Sequence, residues 1–87
     1  MEIEKFLSSK VRIKILKLFH ELGELNIRRI CKRTGSNYTV VKKHLILMEE
    51  LGLVHHKKYG RIKLYSLNED NPKVEAIKRL FDVWQTK

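Results

Sequence analysis

Hydrophobic positions recur at helical spacing through most of the chain, and that rhythm gives way once, past the middle, to strand-like alternation. From Lys10 to Leu22, Val11, Ile15, Leu18 and Leu22 fall on one stripe and Lys10, Lys14 and Lys17 on another, the period of an amphipathic helix. Ser8 or Ser9 stands where an N-cap belongs, and Gly23 follows the last turn. Ahead of it, Ile3, Phe6 and Leu7 suffice for one extra turn that packs elsewhere. After a short extended link at Glu24-Leu25, Asn26 is placed to cap a shorter helix, Ile27 to Thr34, ended by Gly35. Ile27, Ile30 and Cys31 keep its inner face apolar, while Arg28, Arg29, Lys32 and Arg33 face outward.

Ser36 or Asn37 then opens a third helix, spanning 37–51 and stopped by Gly52. At ~100° per residue, Val40, Val41, His44, Leu45, Met48 and Leu51 share one side, and Tyr38, Thr39, Lys42 and Lys43 share the other, near its start. β-Branched and aromatic residues then recur from Leu53 to Tyr59 and from Arg61 to Leu67, with Gly60 in the turn, a hairpin over 54–67. A polar loop, Asn68 to Asn71, leads into Pro72 at the first position of a last helix over 72–87. That helix carries Val74, Ile77, Phe81 and Trp84 on one stripe with Leu80 beside it. The predicted fold is mainly α with a small β-hairpin, in the order α-α-α-β-β-α, as one domain over 1–87. The tight glycine turn between the second and third helices makes this a helix-turn-helix with a two-stranded wing.

The charge balance changes the picture from fold to partner. Lys and Arg number 19 against 10 Asp and Glu, a formal net charge of +9 on 87 residues. Such an excess favours a polyanion, because each neutralised phosphate releases counterions. An anionic membrane is the competing partner, but the basic residues are spread over several segments rather than gathered in one amphipathic helix. No apolar run is long enough to span a bilayer, the N-terminus lacks a signal-peptide layout, and one cysteine, Cys31, forms no internal disulfide. The expected compartment is the cytoplasm, at the nucleoid. A chain of this size holds one core but no separate catalytic cleft. It carries no glycine-rich phosphate loop, nucleophile motif or buried carboxylate pair, so no enzyme activity and no cofactor are expected. Glu49 and Glu50 read as helix-surface charges.

Lys42, Lys43, Lys57, Lys58 and Arg61 suit phosphate contacts, which set register and affinity. Base reading falls to Asn37, Tyr38 and Thr39 through amide or hydroxyl hydrogen bonds and thymine-methyl contact. His44 faces inward and reads as a packed, hydrogen-bonded core residue. His55 and His56 are strand neighbours pointing to opposite faces and do not share an ion, so no metal site is expected. Cys31 reads as a small core residue. A wide apolar stripe of Val74, Ile77, Leu80, Phe81 and Trp84, beside leftover Ile3, Phe6 and Leu7, reads as a homodimer interface. Two-fold pairing there sets two recognition helices about one DNA turn apart, ~34 Å.

Taken in order, V-R-I-K-I-L-K-L-F, T-V-V-K-K-H-L-I-L-M-E-E-L-G-L-V and G-R-I-K-L-Y-S-L resemble the first core helix, the recognition helix with its exit, and the returning wing strand of ArsR-like winged-helix transcription regulators. The resemblance covers roughly Lys10 to Leu67. It implies a dimeric regulator of double-stranded DNA whose third helix enters the major groove through Ser36, Asn37, Tyr38, Thr39, Lys42 and Lys43. The wing, through Lys57, Lys58, Tyr59 and Arg61, would meet the flanking backbone or minor groove. Metal-sensing members carry a cysteine pair where this chain has Asn26 and Arg28, and another sensor site uses Asp and His on the last helix, where no histidine occurs from Lys73 to Lys87. Neither site carries over, and the sequence names no effector. Two rival readings keep the fold: a weakly specific architectural DNA-binding protein, and a protein-docking module.

Overall fold

In the computed structural model, which describes residues 1–85, the chain runs α1 (Ile3–Phe6), α2 (Lys10–Leu22), α3 (Ile27–Thr34), α4 (Tyr38–Glu50), β1 (Val54–Tyr59), β2 (Ile62–Leu67) and α5 (Pro72–Gln85). Thr86 and Lys87, included in the expected domain and last helix, lie outside the described residues. This is the expected winged helix-turn-helix with one addition: the extra turn at the front is a short helix of its own.

One capping device opens three successive helices. Ser9 Oγ accepts from the Arg12 amide at 3.1 Å, Asn26 Oδ1 from Arg29 at 2.8 Å, and Asn37 Oδ1 from Val40 at 2.9 Å. Each satisfies an amide that the helix itself leaves unpaired, typically worth ~1 kcal/mol. Gly52, at φ 76°, closes α4. Its amide bonds to the Glu49 carbonyl at 3.0 Å and the next, Leu53, to Met48 at 2.9 Å, the paired bonds of a Schellman end. The Asn68 and Asn71 side-chain amides both donate to the Gly52 carbonyl at 3.0 Å, so the loop before α5 holds the exit of α4.

α2, α3 and α4 pack around Ile15, Leu16, Phe19, Ile30, Val41, Leu45 and Met48. The inner face of α2 is rotated from the expected Val11–Ile15–Leu18–Leu22 stripe. Val11 and Leu18 are half-buried and Leu22 exposed, whereas Arg12, Ile15, Leu16 and Phe19 are buried. The reason is Arg12, only 9% exposed, whose Nη1 donates to the Phe6 carbonyl at 2.7 Å and the Lys5 carbonyl at 3.3 Å. Its guanidinium lies 5.3 Å from the centre of the Phe6 ring. A buried cation therefore closes the C-terminal end of α1, where unpaired carbonyls concentrate negative charge.

β1 and β2 pair antiparallel from Val54↔Leu67 to Tyr59↔Ile62, around a two-residue turn. Gly60 supplies the only positive φ of that turn, 62°, the requirement of a II′ hairpin. The Glu24-Leu25 link, expected as a simple connection, adds a third line to the sheet. Leu25 and Tyr65 exchange both backbone hydrogen bonds, at 2.8 and 2.9 Å.

α5 spends one edge of its apolar arc on the core and leaves the other open. Val74 and Phe81 are buried, Ile77 half-buried, and Leu80, Val83 and Trp84 exposed, Trp84 by 83%. At ~100° per residue, Leu80, Val83 and Trp84 are rotated away from the Val74–Phe81 line. The proposed dimer residues therefore divide: Phe6, Val74 and Phe81 belong to the chain's own core, while Ile3, Leu7, Leu80 and Trp84 remain on the surface.

Candidate nucleic-acid interface

The start of α4 gathers the polar residues singled out above. Tyr38 is 58% exposed, Thr39 and Lys43 are exposed, and Lys42 is half-buried with its Nζ 5.9 Å from the centre of the Tyr38 ring. A cation over an aromatic face is attracted by the ring quadrupole, so Lys42 and Tyr38 present one combined surface. Ser36 is half-buried, and its amide donates to Thr34 Oγ1 at 3.3 Å within the turn. Asn37 is exposed, with its amide oxygen accepting from the Val40 amide in the cap, which ties that oxygen to the turn and leaves its NH₂ donors free of any bond within the cap.

The wing's two faces differ. Successive strand residues point to opposite sides, so Val54/Leu67, His56/Tyr65 and Lys58/Lys63 share one face. That face starts in the core and continues past α4. Lys57 and Tyr59 lie on the other, with Arg61 in the turn; all three are exposed. Lys58 and Lys63 stand directly across the ladder, a like-charge pair that is unfavourable unless an anion lies between or beside them. Lys63 went unnoticed in the sequence because nothing there fixes the hairpin register.

Glu49 is not an idle surface charge. Its Oε2 lies 2.7 Å from His56 Nδ1, joining the last turn of α4 to the first wing strand. The His56 ring also packs against Tyr65, centroids 5.2 Å apart. Tyr65 is almost fully buried, and burial pushes its phenol above the usual range, with Lys42 pulling down and Glu49 and Tyr38 pushing up. One tyrosine thus touches the Leu25 link, the wing and the field of α4.

His44 departs from expectation. It is half-buried rather than core, and no hydrogen bond to it occurs among the described residues. Burial lowers its pKa, and the Arg12 and Lys43 charges lower it further, so the imidazole is held neutral. Cys31 is half-buried against the core. Among the described residues, no three His, Cys, Asp or Glu side chains are grouped to hold a metal ion, and no helix is long and apolar enough to cross a membrane.

Comparison with known proteins places this geometry in company. Residues 9–56 match the family model described as bacterial regulatory protein, arsR family. The chain is 29% identical over 85 residues to the arsenical resistance operon repressor of Escherichia coli (strain K12), covering 98% of this chain and 72% of that protein. A homodimeric winged helix-turn-helix DNA-binding domain from Mycobacterium bovis, described as a possible ArsR-family regulator, superposes with a TM-score of 0.73 at 28% identity, over 92% of this chain and 71% of that one. Reduced HlyU from Vibrio cholerae shares the fold, with a TM-score of 0.81 at 21% identity over 98% of this chain and 86% of that one.

Proposed function

The chain belongs to the arsR family of bacterial regulatory proteins, and from that premise we propose how it acts as a sequence-specific, double-stranded-DNA-binding transcription regulator. It works as a homodimer. α4 enters the major groove with Tyr38 and Thr39 toward base edges, Lys42 and Lys43 hold phosphates, and the wing lays Arg61, Lys58 and Lys63 on the flanking backbone or minor groove. Asn37 and Ser36 shape the entry turn more than they read bases. The observation that supports this reading is the polar start of α4 (Tyr38, Thr39, Lys42 and Lys43) together with the Lys58/Lys63 pair, which shares its wing face with His56 and is tied to α4 through Glu49–His56. Phosphate contacts orient a protein and base contacts specify sequence, and both kinds of side chain are present in that order along α4.

The second copy pairs across the open edge of α5 with the α1 side, through Ile3, Leu7, Leu80 and Trp84 about the half-buried Ile77. Of these, Ile3, Leu7 and Ile77 line an apolar groove of ≈ 280 Å³ together with Phe6, Leu51 and Leu53 among others. Domain 1–87 then comprises the reader and, from Pro72 onward, its dimerisation helix. Acting on DNA, the protein works at the nucleoid.

Selection of bound sequences from a random duplex pool tests the reading. The expected result is a two-fold-related motif with half-sites about one turn apart, ~34 Å. A pool that stays random while binding tightly would replace this reading with the architectural one.

A further inference from the structure

Much of the positive charge lies outside α4 and the wing. Between Lys10 and Ser36 the only carboxylates are Glu21 and Glu24, against basic side chains on both α2 and α3. Lys10, Lys14 and Lys17 fall on one exposed stripe of α2, and Arg29 and Arg33, one turn apart, are exposed on α3. The two helices pack against each other. Between them lies an open groove of ≈ 200 Å³ lined by Lys14, Lys17, Leu18, Glu21, Arg33 and Thr34. None of these cations makes an ion pair among the described residues; the ion pairs present lie at His20–Asp82, His56–Glu49, Lys78–Glu69 and Arg79–Glu75. Repulsion among unneutralised like charges opposes folding, so a row of them left without partners calls for an external anion.

The groove's place in the chain identifies that anion. Arg33 and Thr34 end α3, and only Gly35, Ser36 and Asn37 separate them from the start of α4. The cationic track thus runs from the edge of the reading surface back over α2. Lys10 to Lys17 spans ~10 Å along the helix axis, about three base-pair rises of ~3.4 Å. We propose that the Lys14–Lys17–Arg33 groove is a second phosphate-binding surface, which takes the sugar-phosphate backbone of the same duplex beyond the half-site contacted by α4. It rests on the DNA-binding reading above and extends the footprint outward without adding base readout. Glu21, at the groove's edge, opposes the contact and sets its strength.

The test compares two duplexes carrying the same selected site, one ending at the site and one extended by about one helical turn (~10 base pairs) at each end. For the unaltered protein, the slope of log K against log salt is expected to be steeper on the long duplex by about 0.9 per phosphate engaged, hence two to three in all per protomer. The triple variant Lys14→Gln, Lys17→Gln, Arg33→Gln is expected to lose that extra slope and bind the short duplex as the unaltered protein does, which also shows that it is folded. Glu21→Gln is expected to tighten binding to the long duplex alone. Equal weakening on both duplexes would overturn the proposal, and so would no change on either, which returns the face to a protein partner or to solvent. Failure of the unaltered protein to bind either duplex would overturn the DNA-binding reading itself, and this inference with it.

Discussion

His56 Nδ1, on the first strand of the wing, lies 2.7 Å from Glu49 Oε2, in the last turn of the recognition helix. The contact spans seven residues of chain and crosses Gly52, whose positive φ of 76° turns the backbone out of the helix. It joins the two parts that address DNA in the proposed reading, the recognition helix and the wing, and ties the orientation of one to the other. Tyr65, packed against the His56 ring and bonded to Leu25, supports it from beneath.

Breaking that contact should therefore cost affinity more than stability. Both partners are part-exposed, and pairs of that kind contribute at most about 1 kcal/mol to folding. Glu49→Gln is expected to leave the melting temperature nearly unchanged and to weaken DNA binding several-fold. The loss should be non-additive with Arg61→Ala, because a wing already misaimed has less to lose at its tip. A double-mutant cycle by fluorescence anisotropy measures this, and strict additivity would detach Glu49 from the wing.

Arg12 offers the opposite case, a buried charge that serves the fold. Its hydrogen bonds to the Phe6 and Lys5 carbonyls hold α1 against the body. Hydrogen bonds from a charged donor contribute ~1.5–3 kcal/mol, so Arg12→Ala is expected to cost about 2 kcal/mol and to lower Tm by roughly 10 °C. Arg12→Met keeps the stem over Phe6 and should lose less. Thermal unfolding of the two variants decides it; equal Tm values for both and for the parent would remove Arg12 from the account of stability.

The helices were legible in the sequence because their signals are local: Ser9, Asn26 and Asn37 cap by reaching three residues forward, and glycines stop α3 and α4. The inner face of α2 is not legible in the periodicity because an inward arginine scores as polar, and what makes it inward is a carbonyl six residues earlier. Register is not a local signal either, so neither the Lys58/Lys63 pair nor the pairing of Leu25 with Tyr65 can be read from the sequence. The α5 stripe was correctly apolar, yet periodicity states that an arc is hydrophobic and not which neighbour covers each edge. Glu49–His56 depends on a turn angle that neither residue encodes alone.

His44 supplies a pH signature. Its folded pKa is lowered from 6.5 by burial first, then by Arg12 and Lys43. The unfolded chain therefore takes up the proton at a higher pH than the folded one, and stability rises with pH wherever the unfolded state binds more protons. The His44 contribution is fully present above pH 6.5 and is lost as pH falls from there through the folded value. Compared with the parent, His44→Gln should show a shallower fall in urea midpoint between neutral pH and pH 5. Parallel curves for the two proteins would contradict the assignment.

Trp84 and Val74 sit on one helix but at opposite extremes of burial, and the proposed dimer interface gives them different roles. Val74 is fully buried within the chain, and Trp84 is 83% exposed. Trp84→Lys is expected to preserve the protomer's circular dichroism and weaken the dimer by at least ~2 kcal/mol, roughly thirtyfold in Kd. Sedimentation equilibrium reads that directly. Val74→Lys should instead unfold the chain, since it buries an unpaired ammonium. A dimer that survives Trp84→Lys intact would move the interface off α5.

Along α4 the division between reading and holding DNA predicts two distinct phenotypes. Lys43 is exposed near the start of the helix, and the proposed phosphate contact from its ammonium would be independent of sequence. Lys43→Ala should weaken binding to specific and random duplexes alike and reduce the log K–log salt slope by about 0.9. Thr39→Ala should leave that slope unchanged while relaxing preference at one base position, a loss of ~1–3 kcal/mol in discrimination. Titrations at several salt concentrations, on the selected site and on single-base variants of it, separate the two. If Thr39→Ala flattens the salt slope, or Lys43→Ala changes which base is preferred, the assignments along the helix are reversed.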